Sequence, residues 1–133
     1  MAQPMAGPAV RAPGAGPLVR CAPDTSREEL IRAICTYLHL HYQREDLSLS
    51  FLSGRVYFSA TYLSSLFRRC TGKSFKSYLV ELRMEKACEL LRTTELYVYQ
   101  IARETGYPNS QYFSVAFRRH TGGSPSEYRE RCR

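Results

Sequence analysis

Along this 133-residue chain apolar residues recur at intervals of three and four, the spacing of a helix face. Leu30, Ile31, Ile34, Leu38 and Tyr42 make the first such stripe. Ser26 and Glu29 precede it in the S-x-x-E arrangement, in which each side chain satisfies the other's backbone N–H, so a helix starts there and ends near Gln43. After a polar break from Arg44 to Asp46, Ser48 caps a short second helix with Leu49, Leu52 and Val56 on one face, weakened by Gly54. Ser59 caps a third helix that turns Tyr62, Leu63, Leu66 and Phe67 inward and ends at Gly72, which suits the left-handed closing position. The longest helix runs from Ser74 to about Leu91, with Phe75, Tyr78, Leu79, Leu82, Ala87, Leu90 and Leu91 buried. At ~1.5 Å per residue it spans roughly 26 Å.

The second half follows the same grammar. A short helix from Val98 to Thr105 closes at Gly106, and another from Asn109 or Ser110 to His120 turns Tyr112, Phe113, Ala116 and Phe117 inward. Ser124-Pro125-Ser126-Glu127 starts a last helix, with proline at its first position and a second capping box. The expected fold class is all-α. Residues 1–25, rich in Ala, Pro and Gly and without apolar period, are expected as a disordered tail, and residues 26–133 as the folded domain.

The halves are copies. Setting Ser59 against Asn109 pairs Tyr62 with Tyr112, Ser64 with Ser114, Phe67-Arg68-Arg69 with Phe117-Arg118-Arg119, Thr71-Gly72 with Thr121-Gly122, Ser74 with Ser124 and Tyr78 with Tyr128. Each copy holds a short helix, a tight turn and a second helix, the layout of a helix-turn-helix whose second helix enters the DNA major groove. The units are expected at residues 49–70 and 98–120, with residues 74–91 as a rigid linker between them. Two reading helices at a fixed separation suit B-DNA, where successive major-groove faces on one side lie about 34 Å apart.

Composition agrees. Nineteen Lys plus Arg against twelve Asp plus Glu give a formal charge of +7, most of it from Arg, whose planar fork matches phosphate oxygens and guanine edges. The five cysteines are single and unpaired in spacing, and His39, His41 and His120 form no constellation with a nucleophile or carboxylate. No catalytic machinery, metal site or cofactor is expected. No apolar run has the length of a membrane span, and the N-terminus lacks the apolar centre of a signal peptide, so a soluble cytoplasmic protein is expected.

The run Arg83-Met84-Glu85-Lys86-Ala87 with Leu90-Leu91, then Ile101-Ala102, Gly106-Tyr107, Tyr112-Phe113, Phe117-Arg118-Arg119, Gly122, Ser124-Pro125 and Tyr128-Arg129 resembles the signature of the AraC/XylS family of bacterial transcription regulators. The resemblance covers about residues 28 to 130. It implies a seven-helix domain whose two recognition helices enter adjacent major grooves of an asymmetric promoter site, and a regulator that recruits RNA polymerase while bound. The oligomeric state stays open, a monomer among the options. Two departures stand out: Tyr57 occupies the usual glycine of the first turn, which predicts a differently shaped turn, and Ser53 replaces the usual Ala. Ser53 matches Ala102 one residue out of step with the recognition helices, so the second turn is expected to be a residue longer. Nothing in the first 25 residues forms an effector domain, which leaves a stand-alone small member or the DNA-binding fragment of a larger regulator.

Base edges are met by the first half of a recognition helix. That selects Thr61, Ser64 and Ser65 in the first unit, and Ser110, Gln111, Ser114 and Val115 in the second, with Gln111 able to pair adenine bidentately and Val115 to pack on a thymine methyl. Arg68, Arg69, Arg118 and Arg119, one turn on, are the expected phosphate contacts. Serine and threonine read bases weakly, so the second unit is expected to carry most of the specificity. Arg83, among the linker's core positions, is expected in a structural ion pair with a carboxylate rather than on DNA. The competing function is a protein interaction module, favoured by the small uncharged first recognition helix and by Tyr57; an enzyme ranks behind both.

Overall fold

The computed structural model describes residues 26–132. They form seven helices and, among the described residues, no strand: α1 Arg27–His41, α2 Leu49–Ser53, α3 Ala60–Thr71, α4 Phe75–Thr93, α5 Val98–Glu104, α6 Ser110–Thr121 and α7 Pro125–Arg131. The tail expected at residues 1–25 lies outside the described residues.

Side-chain caps fix most of the starts. The first free amides of a helix need acceptors, and Ser26, Ser48, Ser59, Ser74, Asn109 and Ser124 each supply one to the amide three residues on. In α1 and α7 the bond is returned, Glu29 accepting from Ser26 N at 3.1 Å and Glu127 from Ser124 N at 2.8 Å. At α5 only the return bond exists, Gln100 Oε1 accepting from Tyr97 N at 2.8 Å. Replacing the cap of α6, Asn109→Ala, is expected to lower unfolding free energy by about 1 kcal/mol in a urea titration.

The repeat extends to individual bonds. Gly72 and Gly122 close α3 and α6 at φ 80° and 89°, each donating its N–H back to Arg68 O or Arg118 O at 2.8 Å. Thr71 Oγ1 donates to Phe67 O at 2.8 Å, and Thr121 Oγ1 to Phe117 O at 2.9 Å. Tyr78 stands edge-on to Phe67 with centroids 5.3 Å apart, as Tyr128 does to Phe117 at 5.6 Å.

Two cores result, joined by α4. Leu30, Ile34, Leu38, Leu52, Leu63 and Phe67 fill the first with Phe75, Leu79 and Leu82 from the first half of α4. Met84, Ala87 and Leu91 from the second half of α4 join Ile101, Ala102, Phe113 and Phe117 in the other. α4 therefore closes the first unit from one end and braces α6 from the other, as α1 braces α3.

The structure differs from the sequence expectations at three points here. α2 stops at Ser53 with Gly54 as its cap, so Val56 lies beyond the helix, although it still packs on the first core. The additional residue between Ala102 and Asn109 is absorbed by α5, which continues to Glu104, and does not lengthen the turn. Arg83 is structural, but its partners are not carboxylates. Its Nε donates to Tyr42 O at 3.0 Å and its Nη2 to Arg44 O at 2.6 Å, because the end of α1 leaves carbonyls without helical partners and a planar fork can serve two of them. Burial pushes its pKa down, opposed by Tyr107 and Glu45. Arg129 does the same for α4, donating to Leu91 O at 3.2 Å and Thr94 O at 3.1 Å. The first turn is shaped as Tyr57 requires: no non-glycine residue among those described has positive φ, whereas Gly106 in the second turn sits at φ 90°.

Candidate nucleic-acid interface

α3 and α6 owe their outer faces to the same apolar anchors. Leu63, Leu66 and Phe67 hold one helix, Phe113 and Phe117 the other, and at 100° per residue the opposite side of each is left to solvent. On α3 that side is Thr61, Ser64, Ser65, Arg68 and Arg69, all exposed. On α6 Gln111, Val115, Arg118 and Arg119 are exposed, while Ser110 and Ser114 are half-buried on its flanks. Ser65 is central on the first face and Val115 on the second.

Tyr112 overturns the expectation that it points inward. It is 65 % exposed, beside Val115 and Arg119 on one flank of α6, with Gln111 and Arg118 on the other. Its counterpart Tyr62 is held down: Arg27 Nε donates to the Tyr62 hydroxyl at 3.2 Å, and the Phe58 ring packs on it with centroids 5.0 Å apart. At the repeat offset the place of Phe58 is taken by Pro108, which brings no aromatic ring to pack on Tyr112. That difference was the available signal.

Neither α3 nor α6 contains an acidic residue. Among the described residues Arg68, Arg69, Arg118 and Arg119 make no ion pair, whereas Lys73 is bound to Glu81 at 2.5 Å and Arg44 to Asp46 at 2.7 Å. The Ser124 amide and hydroxyl, with Arg118 beyond them, hold the Glu127 carboxyl below the usual carboxylate range. Among the described residues four cysteines are free, and burial pushes the Cys35 thiol up, away from the reactive thiolate. Among the described residues no group of His, Cys, Asp and Glu is placed to hold a metal, and no helix is long and apolar enough to cross a membrane.

Two helix-turn-helix units with exposed, acid-free second helices, sharing one brace helix, define a double helix-turn-helix domain. A family described as "Helix-turn-helix domain" matches residues 52–131. Over 106 residues the chain is 31% identical to the regulatory protein SoxS of Salmonella typhimurium, covering 80% of this chain and 98% of that one. It is 33% identical over 102 residues to the arabinose operon regulatory protein of Escherichia coli, covering 77% of this chain but 35% of that protein. The chain thus spans about a third of the length of that relative. Among solved structures, the C-terminal domain of AraT, a response regulator from Geobacillus stearothermophilus, superposes with a TM-score of 0.74 at 37% identity, over 84% of this chain and 88% of that one. The DNA-binding domain of the global transcriptional factor AdpA, solved with a target DNA, gives 0.71 at 26% identity, over 75% and 89%. The chain belongs to the AraC family of transcription regulators and carries that family's DNA-binding fold. Its relatives are regulators and not enzymes.

Proposed function

We propose that the chain binds a specific double-stranded promoter site by laying α3 and α6 in adjacent major grooves. The observation that carries this reading is the duplicated outer face: an acid-free helix with an unpaired Arg-Arg pair one turn beyond its exposed first half, at either end of one 19-residue helix. At ~1.5 Å per residue α4 is roughly 28 Å long, of the order of the groove-to-groove distance. That AdpA's domain was solved with its target DNA supports the same use of the fold here.

Arg68, Arg69, Arg118 and Arg119 take phosphates in this reading, and Thr61, Ser64, Ser65, Ser110, Gln111, Ser114 and Val115 meet base edges. Tyr112 extends the apolar part of the second face, so that Val115 and Tyr112 together favour thymine methyls beside an adenine read by Gln111. Arg118→Ala should weaken binding to all duplexes alike and reduce the slope of log K against log salt by about 1. The deciding comparison is competition at physiological salt. A cognate promoter duplex should outcompete random duplex by at least about tenfold, and equal affinities would contradict the proposal.

RNA polymerase is the proposed protein partner. Tyr57, 74 % exposed in the first turn, offers it an aromatic contact that DNA reading does not use. Purified polymerase should bind the complex on DNA more tightly than it binds the Tyr57→Ser complex, with the DNA affinity of the variant unchanged; equal retention would remove Tyr57 from that role.

A further inference from the structure

We propose that Arg83 fixes the angle between the two helix-turn-helix units and thereby the half-site spacing the protein accepts; the spacing half of the inference rests on the DNA-binding reading above. The two cores share no residue, and α4 runs through both. A single helix passing between two bodies resists stretching but leaves them free to bend and twist about it, unless a second contact lies off its axis.

Arg83 is at the centre of such a contact. It sits midway along α4, 9 % exposed, and its two hydrogen bonds go to Tyr42 O and Arg44 O at the end of the first unit's α1. The same guanidinium also meets the second unit. It lies 5.5 Å from the centre of the Tyr107 ring and against Gly106, where an added Cβ would fall 2.8 Å from its Nη2 and 2.9 Å from its Cζ. That Cβ would also stand 2.5 Å from Tyr42 O, so backbone of one unit meets backbone of the other directly beneath the guanidinium. Lys86 Nζ, 5.9 Å above the Tyr42 ring, is the other α4 cation at this seam.

The chemistry suits a bracket. Two carbonyls reached by different nitrogens of one group, with a ring beside it, suit a flat, always charged donor with several N–H groups, which Arg has and Lys has not. Arg129 makes the matching pair of carbonyl bonds, to Leu91 and Thr94, but wholly within the second unit. It is therefore the internal control: loss of Arg129 should cost stability and leave the angle alone, whereas loss of Arg83 should release the angle.

Residual dipolar couplings of the free protein read that angle without DNA. One alignment tensor should fit the amides of α1–α3 and α5–α7 together in the unmutated protein and in Arg129→Met, and two should be needed in Arg83→Met. On DNA, inserting or removing one base pair between the half-sites should cost the unmutated protein about tenfold or more in affinity, since the second site is reached at high effective concentration only when the geometry fits. In Arg83→Met that penalty should shrink to about twofold, because only a pre-ordered pair of units pays no further ordering cost, while affinity for an isolated half-site stays unchanged. Arg83→Lys, which keeps the charge without the fork, should lie between. A single tensor in Arg83→Met, or an undiminished spacing penalty, would overturn the inference. Unfolding of both Arg83 variants would overturn it too, since Arg83 would then be a requirement of the fold and not of the angle. If the unmutated chain shows no spacing preference, the DNA reading fails, and the couplings still decide whether Arg83 sets the angle.

Discussion

Gly106→Ala is expected to lower unfolding free energy by about 2 to 5 kcal/mol, a large part of the ~5–15 kcal/mol that holds a typical domain. Two costs combine. At φ 90° an L side chain is strained by about 1–2 kcal/mol, and the new methyl would be forced to within 2.5 Å of the Tyr42 carbonyl and 2.8 Å of Arg83, an overpacking worth about 1–3 kcal/mol more. Gly122 isolates the first cost, because it has nearly the same φ, 89°, and nothing within 4 Å of its would-be Cβ. In parallel urea titrations Gly106→Ala should lose clearly more stability than Gly122→Ala. Equal losses would mean that the units are not in contact at this seam.

The largest effect on recognition is expected from the second outer face. Changing Ser110, Gln111 and Val115 together to Ala should weaken binding to the preferred site about a hundredfold, roughly the 1–3 kcal/mol of one bidentate pair plus a lost methyl contact at 1.4 kcal/mol per decade. Changing Thr61, Ser64 and Ser65 together should cost less than about tenfold, because hydroxyls pair with any base edge and discriminate little. The asymmetry is written in the side chains at the centre of each face, Ser65 on α3 against Val115 with Tyr112 on α6. Dissociation constants of both triple variants on one duplex measure it, and the reverse ranking would contradict the division of labour.

The helices were legible because their signals are local. Ser and Asn caps, glycine stops and the i, i+3, i+4 stripe act within a turn or two, and the helix starts at Arg27, Leu49, Ala60, Phe75, Val98, Ser110 and Pro125 follow from them. The repeat made the fold class legible, since two matched units with one linker leave few arrangements. What stayed hidden depends on distant residues. Tyr112 has the same local sequence pattern as Tyr62, but Tyr62 is held by Arg27 on a different helix and by the Phe58 ring, where the second unit has Pro108 in the place of Phe58. Arg83 was readable as structural from its place on the buried side of α4, but not its acceptors, because backbone carbonyls at the end of α1 leave no mark in the sequence. The length of the second turn was misread for a related reason: spacing counts residues, and cannot say that α5 takes the extra one.

Selection of bound sites from a random duplex library by the unmutated protein decides whether α3 and α6 read one promoter site together. One asymmetric site should emerge with two enriched blocks about one helical turn apart, the block under α6 more sharply defined and containing adenine and thymine. A pool that stays random after selection at physiological salt, or one that yields a single block, would contradict it.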